Sequence, residues 1–297
     1  MRFGIDLGGT KTEIIALNND NVLCYRKRIA SPRGSYQATV EMLCALVWEA
    51  ETILGEKGSV GIGIPGCMSP ATHRVKNANS TWLIGQPLQQ DLSRELGREV
   101  RIANDADCFT LSESCDGSGE DYYCVFGVIL GTGTGGGLVM GKRNWVGPNA
   151  ITGEWGHNPL PWPTEQDVAL ECYCGKKGCI ETFLSGPGLQ RHYRLLGGDE
   201  HHQPEDIIAL RTSNTLANQA YQNWLDRLAR GLASVINVID PDVIVLGGGL
   251  SNISSLYDDL PSRMAPYVFS DTLVTPVLAA RHGDASGVRG AAWLWPE

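Results

Sequence analysis

The sequence lacks a long hydrophobic run: no window of its 297 residues approaches the about 18 uninterrupted apolar residues of a membrane span. It also lacks a basic start followed by an apolar stretch, so we expect no signal peptide and a cytoplasmic location. Positive charge is scarce, since 24 Lys and Arg against 33 Asp and Glu give a net charge of -9. Such a surface repels nucleic acid and anionic membranes, so neither is expected as a partner.

Cysteine, by contrast, is plentiful and partly clustered. Three of the nine cysteines stand in Cys172-Tyr-Cys174-Gly-Lys-Lys-Gly-Cys179, downstream of a histidine in the segment Gly-Glu-Trp-Gly-His157. Three thiolates and one imidazole at short spacing predict a closed tetrahedral zinc site. The alternatives are free thiols, or a disulfide, which would need an oxidising compartment. A zinc ion here would pin the segment that carries Glu154 and His157.

The order of strand and helix signals predicts two α/β domains. Apolar patterns predict strands over 3–17 with a glycine turn between them, over 60–65, 99–103 and 243–246, and helices over 35–54, 106–115, 216–239 and 287–295. The segment from Asp116 to Gly119 breaks the pattern, so we expect domains over 1–117 and 118–285, with a C-terminal helix over 286–297 packing back on the first. Segments 5–10 and 128–133 both run from an apolar strand into a Gly/Thr turn. This repeat predicts two related domains, and chance similarity of two hairpins is the alternative.

The first glycine turn is a candidate phosphate site. Glycines allow backbone N–H groups to approach a phosphate, hydroxyls and a lysine add donors and charge, and Asp6 at the strand end could hold a metal ion. A plain hairpin is the alternative. The residues concerned are Asp6, Gly8, Gly9, Thr10, Lys11 and Thr12.

A second, longer glycine turn strengthens this interpretation. Every residue after Leu130 up to position 137 is Gly or Thr, so the backbone lies open along the whole turn. Two such turns can clamp a polyphosphate from both sides, and a third opening follows the strand at 243–246. No lysine stands in a Walker-type context, which excludes that class of nucleotide fold. The residues concerned are Gly131, Thr132, Gly133, Thr134, Gly135 and Gly136, with Gly247, Gly248 and Gly249.

Asp105 is the acid–base candidate, because it lies where a strand passes into a helix. The helix N-terminus favours the ionised carboxylate, which can accept the proton of a sugar hydroxyl attacking a γ-phosphate. An N-cap without catalytic function is the alternative. Glu154, His157 and Glu181 could hydrogen-bond a polyol, or the two glutamates could be surface carboxylates. One nitrogen of His157 could bind zinc while the other faces a ligand.

These motifs together resemble the ROK family of sugar kinases and repressors, within the actin-like/hexokinase (ribonuclease H-like) fold. The resemblance covers Asp6-x-Gly-Gly-Thr10, Asn104-Asp105, the turn over 130–137, the Gly-Glu-x-Gly-His157 motif, the cysteine cluster with Glu181, and the glycines at 247–249. It implies two such domains facing across a cleft and an ATP-dependent kinase with Asp105 as general base. It implies ATP phosphates on both glycine turns, Mg²⁺ near Asp6, and sugar contacts from Asn79, Asn104, Asp105, Glu154, His157 and Glu181.

Within the family, the segment over 77–87 and the Trp155 motif resemble bacterial fructokinases of the manno(fructo)kinase type. The expected reaction is therefore phosphorylation of D-fructose to fructose 6-phosphate, with Trp82 filling the space of an acetamido group. An N-acetylhexosamine, mannose or glucose kinase of the same family is the alternative. A sugar-binding protein without catalysis, or a repressor, fits less well, because Asp105 is present and no helix-turn-helix precedes Asp6. Dimers are the family expectation.

Overall fold

The computed structural model describes residues 1–78 and 80–295 and alternates strands with helices. Its strands are β1 Arg2–Leu7, β2 Lys11–Leu17, β3 Leu23–Ala30, β4 Ser59–Ile64, β5 Cys67–Met68, β6 Val75–Lys76, β7 Val100–Asn104, β8 Cys124–Leu130, β9 Thr134–Met140, β10 Arg143–Asn144, β11 Val243–Gly247 and β12 Val277–Ala279. Its α-helices are α1 Tyr36–Leu54, α2 Leu88–Leu96, α3 Asp105–Asp116, α4 Glu181–Leu184, α5 Gly186–Leu195, α6 Pro204–Leu210, α7 Thr215–Ile239, α8 Leu256–Met264 and α9 Ser286–Trp293.

The long helices begin and end at residues with capping chemistry. Ser35 caps α1 by accepting a hydrogen bond from the Ala38 N–H at 3.2 Å, and Gly55 ends it in the left-handed region at φ 68°. Asn214 caps α7 by accepting from the Ala217 N–H at 3.0 Å, and a proline follows its last turn. The predicted helices over 35–54 and 216–239 are therefore confirmed within one residue at each end.

The first compact unit comprises 1–121, 137–152 and the chain from 281 onward. Its sheet has the order β3-β2-β1-β4-β7, with β1 antiparallel to β2 and parallel to β4. Helix α9 packs directly on β1, β4 and α3. This approach requires glycine, because a Cβ at Gly61 would overlap the carbonyl of Ala291 and one at Gly290 would overlap that of Cys108.

The second compact unit comprises 122–136 and 153–280. The second sheet has the order β10-β9-β8-β11-β12, with β11 parallel to both β8 and β12. The division between the units falls within strand β9: Gly136 is the last residue of the segment 122–136 in the second unit, and Gly137 is the first residue of the segment 137–152 in the first unit. Trp224 of α7 is fully buried and donates to the Leu184 carbonyl at 3.0 Å, which fixes α7 beside α4.

The two five-stranded sheets share one strand plan. In each sheet, three strands that are consecutive in the chain lie side by side. The first of these three also pairs with a later strand, which follows a helical connection. This common plan is the architecture expected from the repeated strand-and-glycine pattern. Within residues 1–78 and 80–295, no helix combines the length and the apolar character needed to cross a lipid bilayer.

Candidate active site

The first glycine turn is a tight hairpin between β1 and β2. The Gly8 N–H donates to the Lys11 carbonyl at 3.1 Å, and Ser31 holds the turn by donating its hydroxyl to the Gly8 carbonyl at 2.7 Å. Gly9, Thr10 and Lys11 are exposed at the tip. Thr12 is fully buried and its hydroxyl pairs with that of Ser31 at 2.8 Å. The side chain of Thr12 therefore braces the turn from inside the sheet.

Asp6 is the penultimate residue of β1 and lies near other negative charges. Burial, followed by the charges of Asp105 and Glu13, raises the pKa of Asp6 to about 6, although Arg28 acts against this shift. A half-buried carboxyl with acidic neighbours is the environment that a bound cation relieves. Asp6 thus fits the predicted Mg²⁺ position by its chemistry.

Asp105 is the first residue of α3 and is exposed, while Asn104 is the N-cap. The Ala106 N–H donates to Asn104 Oδ1 at 2.9 Å and to Asp105 Oδ1 at 2.8 Å. Asn104 Nδ2 also donates to the Gly66 carbonyl at 3.0 Å. Asn104 is therefore the N-cap residue of α3, and the Asp105 carboxylate accepts the same backbone N–H.

The loop after β6 carries part of the predicted sugar site. Asn79 lies outside the described residues, whereas its neighbour Ser80 is buried and its hydroxyl lies near Gly9, whose added Cβ would be 3.6 Å away. Trp82 packs against the core of the first unit and donates its indole N–H to the Thr39 hydroxyl at 3.2 Å. The indole of Trp82 is thus held inside the first unit by the Thr39 hydroxyl.

The second glycine turn, in the second unit, is tied to Glu181. Glu181 Oε2 accepts a hydrogen bond from the Thr134 N–H at 3.0 Å, and a Cβ at Gly133 would lie 2.8 Å from the same oxygen. A side chain at position 133 would therefore push the Glu181 carboxylate away from its present position. Through Glu181, which follows the cysteine cluster, the turn and the predicted zinc segment are held together.

A cavity of about 550 Å³ adjoins this turn in the second unit. Its size suits a nucleotide, and Gly131 and Gly249 present open backbone to it, since a Cβ at either would have at most one neighbour within 4 Å. Its walls combine the predicted glycine segments with apolar residues of α5 and α6 that the sequence did not reveal. The lining includes Leu130, Gly131, Thr132, Pro187, Pro204, Glu205, Ile208, Arg211, Gly249 and Leu250.

The segment that carries Glu154 and His157 is anchored by the tryptophan between them. Trp155 is buried, donates its indole N–H to the Gly135 carbonyl at 3.1 Å, and meets the Phe126 ring edge-on at 6.0 Å. A Cβ at Gly136 would lie 2.9 Å from the Trp155 ring. Trp155 therefore fixes its neighbours against the second glycine turn, and Glu154 itself is exposed.

The predicted zinc ligands converge. One ligand atom each from His157, Cys172, Cys174 and Cys179 lies within 4.8 Å of the others. Cys172 Sγ is 3.6 Å from His157 Nδ1, and Cys174 Sγ is 3.6 Å from Cys179 Sγ. A tetrahedron with Zn–S bonds of about 2.3 Å has edges of about 3.8 Å, and a sulfur–nitrogen edge is slightly shorter. The spacing fits a metal cage and is far longer than the about 2.05 Å of a disulfide.

Tyr173, between two of the cysteines, contacts the remaining nitrogen of His157. The Tyr173 hydroxyl oxygen and His157 Nε2 are 3.0 Å apart, and the two rings meet edge-on with centroids 5.1 Å apart. Partial burial, then the charges of Glu181, Cys172 and Glu154, raise the pKa of Tyr173 to about 12. No pattern in the sequence predicts this contact.

A buried ion-pair network fastens the segment before the cysteines to α7. Asp167, 2% exposed, pairs with Arg227 Nε at 2.7 Å and with Arg230 Nη1 at 2.9 Å, and both arginines are at most 3% exposed. The same Arg230 nitrogen donates to the Trp162 carbonyl at 2.8 Å. Burial raises the pKa of Asp167, but hydrogen bonds from Arg230, the Thr164 N–H and Arg227 outweigh burial and lower it. The segment that precedes the cysteine cluster is thus held against α7 by these ion pairs.

Each of the two sheets leads into a glycine turn, and a nucleotide-sized cavity adjoins the second turn. The sequence matches the ROK family over residues 2–297. It is 42% identical over 306 aligned residues to N-acetyl-D-glucosamine kinase from Shigella flexneri serotype 5b, covering 99% of each chain. Among solved structures, the ROK hexokinase from Thermus thermophilus has a TM-score of 0.87 at 26% identity, covering 99% of this chain and 97% of that one.

A second solved structure, a ROK glucokinase from Streptomyces griseus in complex with glucose and AMPPNP, has a TM-score of 0.78 at 26% identity, covering 98% of this chain and 97% of that chain. The chain belongs to the ROK family, and the predicted class, a sugar kinase with an α/β fold of the ROK hexokinase type, is confirmed. The narrower prediction of a fructokinase finds no counterpart in these relatives.

Proposed function

We propose that the chain transfers the γ-phosphoryl group of ATP to the terminal hydroxymethyl oxygen of N-acetyl-D-glucosamine. The observation that carries this proposal is the 42% identity to an N-acetyl-D-glucosamine kinase over 99% of both chains. N-acetylhexosamines were the alternative substrate in the sequence analysis, and the relatives favour them over fructose.

In this proposal the cavity of the second unit binds ATP. The apolar side chains of Pro187, Pro204 and Ile208 would pack against the base, and Glu205 offers acceptors for ribose hydroxyls. The open backbone at Gly131 and Thr132 would receive the phosphates. The turn over 8–11 in the first unit is proposed to contact the same phosphates, with Lys11 supplying charge.

Asp105 is proposed as the general base, supported by its exposure at the first turn of α3 and by the N-cap role of Asn104. Its carboxylate accepts the proton of the sugar hydroxyl while that oxygen forms a bond to the γ-phosphorus. The bond from the γ-phosphorus to the bridging oxygen breaks, and ADP leaves with that oxygen. Mg²⁺, held near Asp6, would supply charge neutralisation for the phosphoryl oxygens.

Sugar hydroxyls are proposed to bind Asn104 of the first unit and Glu154 and Glu181 of the second. Asn79 belongs to the proposed set by resemblance alone. His157 with the three cysteines is proposed to hold a structural zinc ion, because four protein ligands leave no open position for catalysis. Zinc would thereby fix the segment that presents Glu154 and Glu181.

The test compares Asp105→Asn with Asp107→Asn, a matched change in the same helical turn. We expect Asp105→Asn to lower kcat on N-acetyl-D-glucosamine by about 10²–10⁴-fold, the usual contribution of a positioned base. Sugar and ATP binding, measured by calorimetry, should persist in this variant. Near-normal turnover by Asp105→Asn would refute the assignment. Wild-type protein that binds the sugar without releasing ADP would instead point to the non-catalytic binding protein.

Fructose is the second candidate, favoured only by the resemblance of the 77–87 segment to fructokinases. If fructose is the substrate, ADP should be released faster with fructose than with N-acetyl-D-glucosamine. Because the two sugars differ in ring form and in the acetamido group, parallel kinetics on both separates these candidates.

A further inference from the structure

A cavity of about 400 Å³ in the first unit is lined by positive charge. Its volume lies within the about 300–1,000 Å³ that is usual for small-molecule sites. Arg101, Lys142 and Arg143 contribute cationic side chains, and none of the described residues that line the cavity is acidic. Since the whole chain has a net charge of -9, this local excess of positive charge favours an anionic ligand.

The turn between β9 and β10 fixes the lysine. It consists of Gly141 and Lys142, which both have positive φ, at 56° and 63°. Asparagine and glycine are the residues that such two-residue hairpin turns usually contain. Lys142 Nζ donates to the backbone carbonyls of Ser114 and Glu120, and no carboxylate of the described residues forms an ion pair with it. The ammonium group is therefore held in place with its charge and one hydrogen available for a ligand.

The two arginines differ in how firmly they are held. Arg101 Nη1 donates to the Leu294 carbonyl at 2.8 Å, and the guanidinium carbon lies 3.8 Å from the centroid of the Trp295 ring. Arg101 also pairs with Glu99 at 3.5 Å, but the Glu99 side chain is 64% exposed, so solvent screens this pair. Arg143 is exposed and makes no hydrogen bond or ion pair with any described residue. The cavity thus combines a guanidinium group that is already placed with one that can move onto an anion.

The uncharged lining residues supply apolar surface and hydrogen-bonding atoms. Leu294 and the Trp293 ring provide the apolar surface, and the buried Arg2 places its guanidinium carbon 4.0 Å from the centroid of that ring. Trp293 Nε1 and Asn144 Oδ1 are buried and have no hydrogen-bond partner within residues 1–78 and 80–295. An unpaired buried donor or acceptor costs free energy until a ligand or a water pairs with it. The cavity therefore suits a ligand that has a carbon skeleton and hydroxyl groups besides its negative charge.

We propose that this cavity binds a phosphate monoester of a small polyhydroxy compound, the class to which hexose 6-phosphates belong. The phosphate group pairs with the three cations, the carbon skeleton packs on Trp293 and Leu294, and a hydroxyl group bonds to Asn144. A bare anion would leave the apolar surface unused, and a long polyanion would be repelled by the rest of this acidic protein. The site does not rest on the proposed function, because no residue that lines it belongs to the proposed ATP or sugar contacts.

The test is calorimetry with N-acetyl-D-glucosamine 6-phosphate as the probe, in the presence of saturating N-acetyl-D-glucosamine, which occupies the proposed hexose site. Wild type is compared with Arg143→Gln, which should fold normally because the Arg143 side chain is exposed and holds no other residue in place. The matched control is Lys57→Gln, which removes an exposed positive charge of the same unit outside this cavity. We expect Arg143→Gln to bind the ester about 10-fold more weakly, as for the loss of one hydrogen bond to a charged group, with no change in Lys57→Gln.

Equal affinity of wild type and Arg143→Gln for the ester would overturn the proposal, as would the absence of ester binding in wild type. Inorganic phosphate is the second probe, and it should bind wild type more weakly than the ester does. Equal binding of the two probes would overturn the assignment of a phosphate monoester, because Trp293, Leu294 and Asn144 would then contribute nothing.

Failure of this proposal is distinct from failure of the kinase assignment. Arg143→Gln should phosphorylate N-acetyl-D-glucosamine at the wild-type rate, because Arg143 lies outside the proposed active site. If wild type shows no turnover, the kinase assignment falls and the comparison of ester affinities still decides the role of the cavity. If wild type turns over and Arg143→Gln binds the ester equally well, only the proposal for the cavity falls.

Discussion

Replacing Asp167 by asparagine should destabilise the second unit severely. The substitution removes the negative charge between Arg227 and Arg230, whose side chains are 3% and 2% exposed. The buried Arg227 would then lose its paired carboxylate, and Arg230 would keep only the partly exposed Asp226. Breaking a buried pair in this way costs about 3–5 kcal/mol. This is a large part of the total stability of a domain, which is of order 5–15 kcal/mol.

The pH dependence of this contribution follows from the lowered pKa of Asp167. A carboxyl group whose pKa is lower in the folded state than in the unfolded state stabilises the fold when the pH is above the unfolded-state pKa. This stabilisation is lost as the pH falls through the folded-state pKa. The contribution is therefore complete at neutral pH, where the assay should be run.

The assay is urea unfolding followed by tryptophan fluorescence, since Trp155, Trp162 and Trp224 all report on the second unit. Asp226→Asn is the matched control: Asp226 also pairs with Arg230, at 3.0 Å, but its side chain is 32% exposed. We expect a loss of roughly 3–5 kcal/mol for Asp167→Asn and about 1 kcal/mol or less for the control. A loss below about 1 kcal/mol for Asp167→Asn would refute the reasoning.

Two further predictions concern metal and pH. Wild type should contain about one zinc per chain by elemental analysis, and Cys174→Ser should lose this zinc. The control Cys24→Ser, which changes an exposed cysteine of the first unit, should retain it. Full zinc content in Cys174→Ser would exclude the proposed zinc site. The hydrogen bond to Asp116 raises the pKa of His282 in the folded protein. Protonated His282 therefore stabilises the fold fully when the pH is below the pKa of the unfolded state, and this stabilisation is lost as the pH rises through the folded-state pKa. The melting-temperature difference between wild type and His282→Gln should thus be larger in mildly acidic buffer than above about pH 8, and an equal difference at both would contradict it.

Local patterns predicted the parts of the fold that depend on local chemistry. Helices α1 and α7 are long, periodic and capped, so their limits could be read from the sequence. The glycine turns could be found because glycine there answers a steric need, as Gly133 does beside Glu181. The cysteine cluster was recognisable because its ligands are close in sequence, and the structure brings them together.

What could not be predicted depends on residues distant in sequence. Asp167 and Arg227 are 60 positions apart, and neither stands in a motif. The cavity walls from α5 and α6 meet the glycine turn only after folding. The partners of the Trp82 and Thr12 side chains, Thr39 and Ser31, are also distant in sequence, so these hydrogen bonds could not be predicted.

The measurement that tests the central claim most directly is a competition in one tube. Wild-type protein with ATP and Mg²⁺ receives equal concentrations of N-acetyl-D-glucosamine and fructose, and the phosphorylated products are quantified by mass spectrometry, so that their ratio gives the ratio of kcat/KM values. The account predicts that N-acetyl-D-glucosamine 6-phosphate dominates. Predominance of fructose phosphate would contradict the substrate proposal, and the absence of both products would contradict the assignment of this chain as a kinase for either sugar.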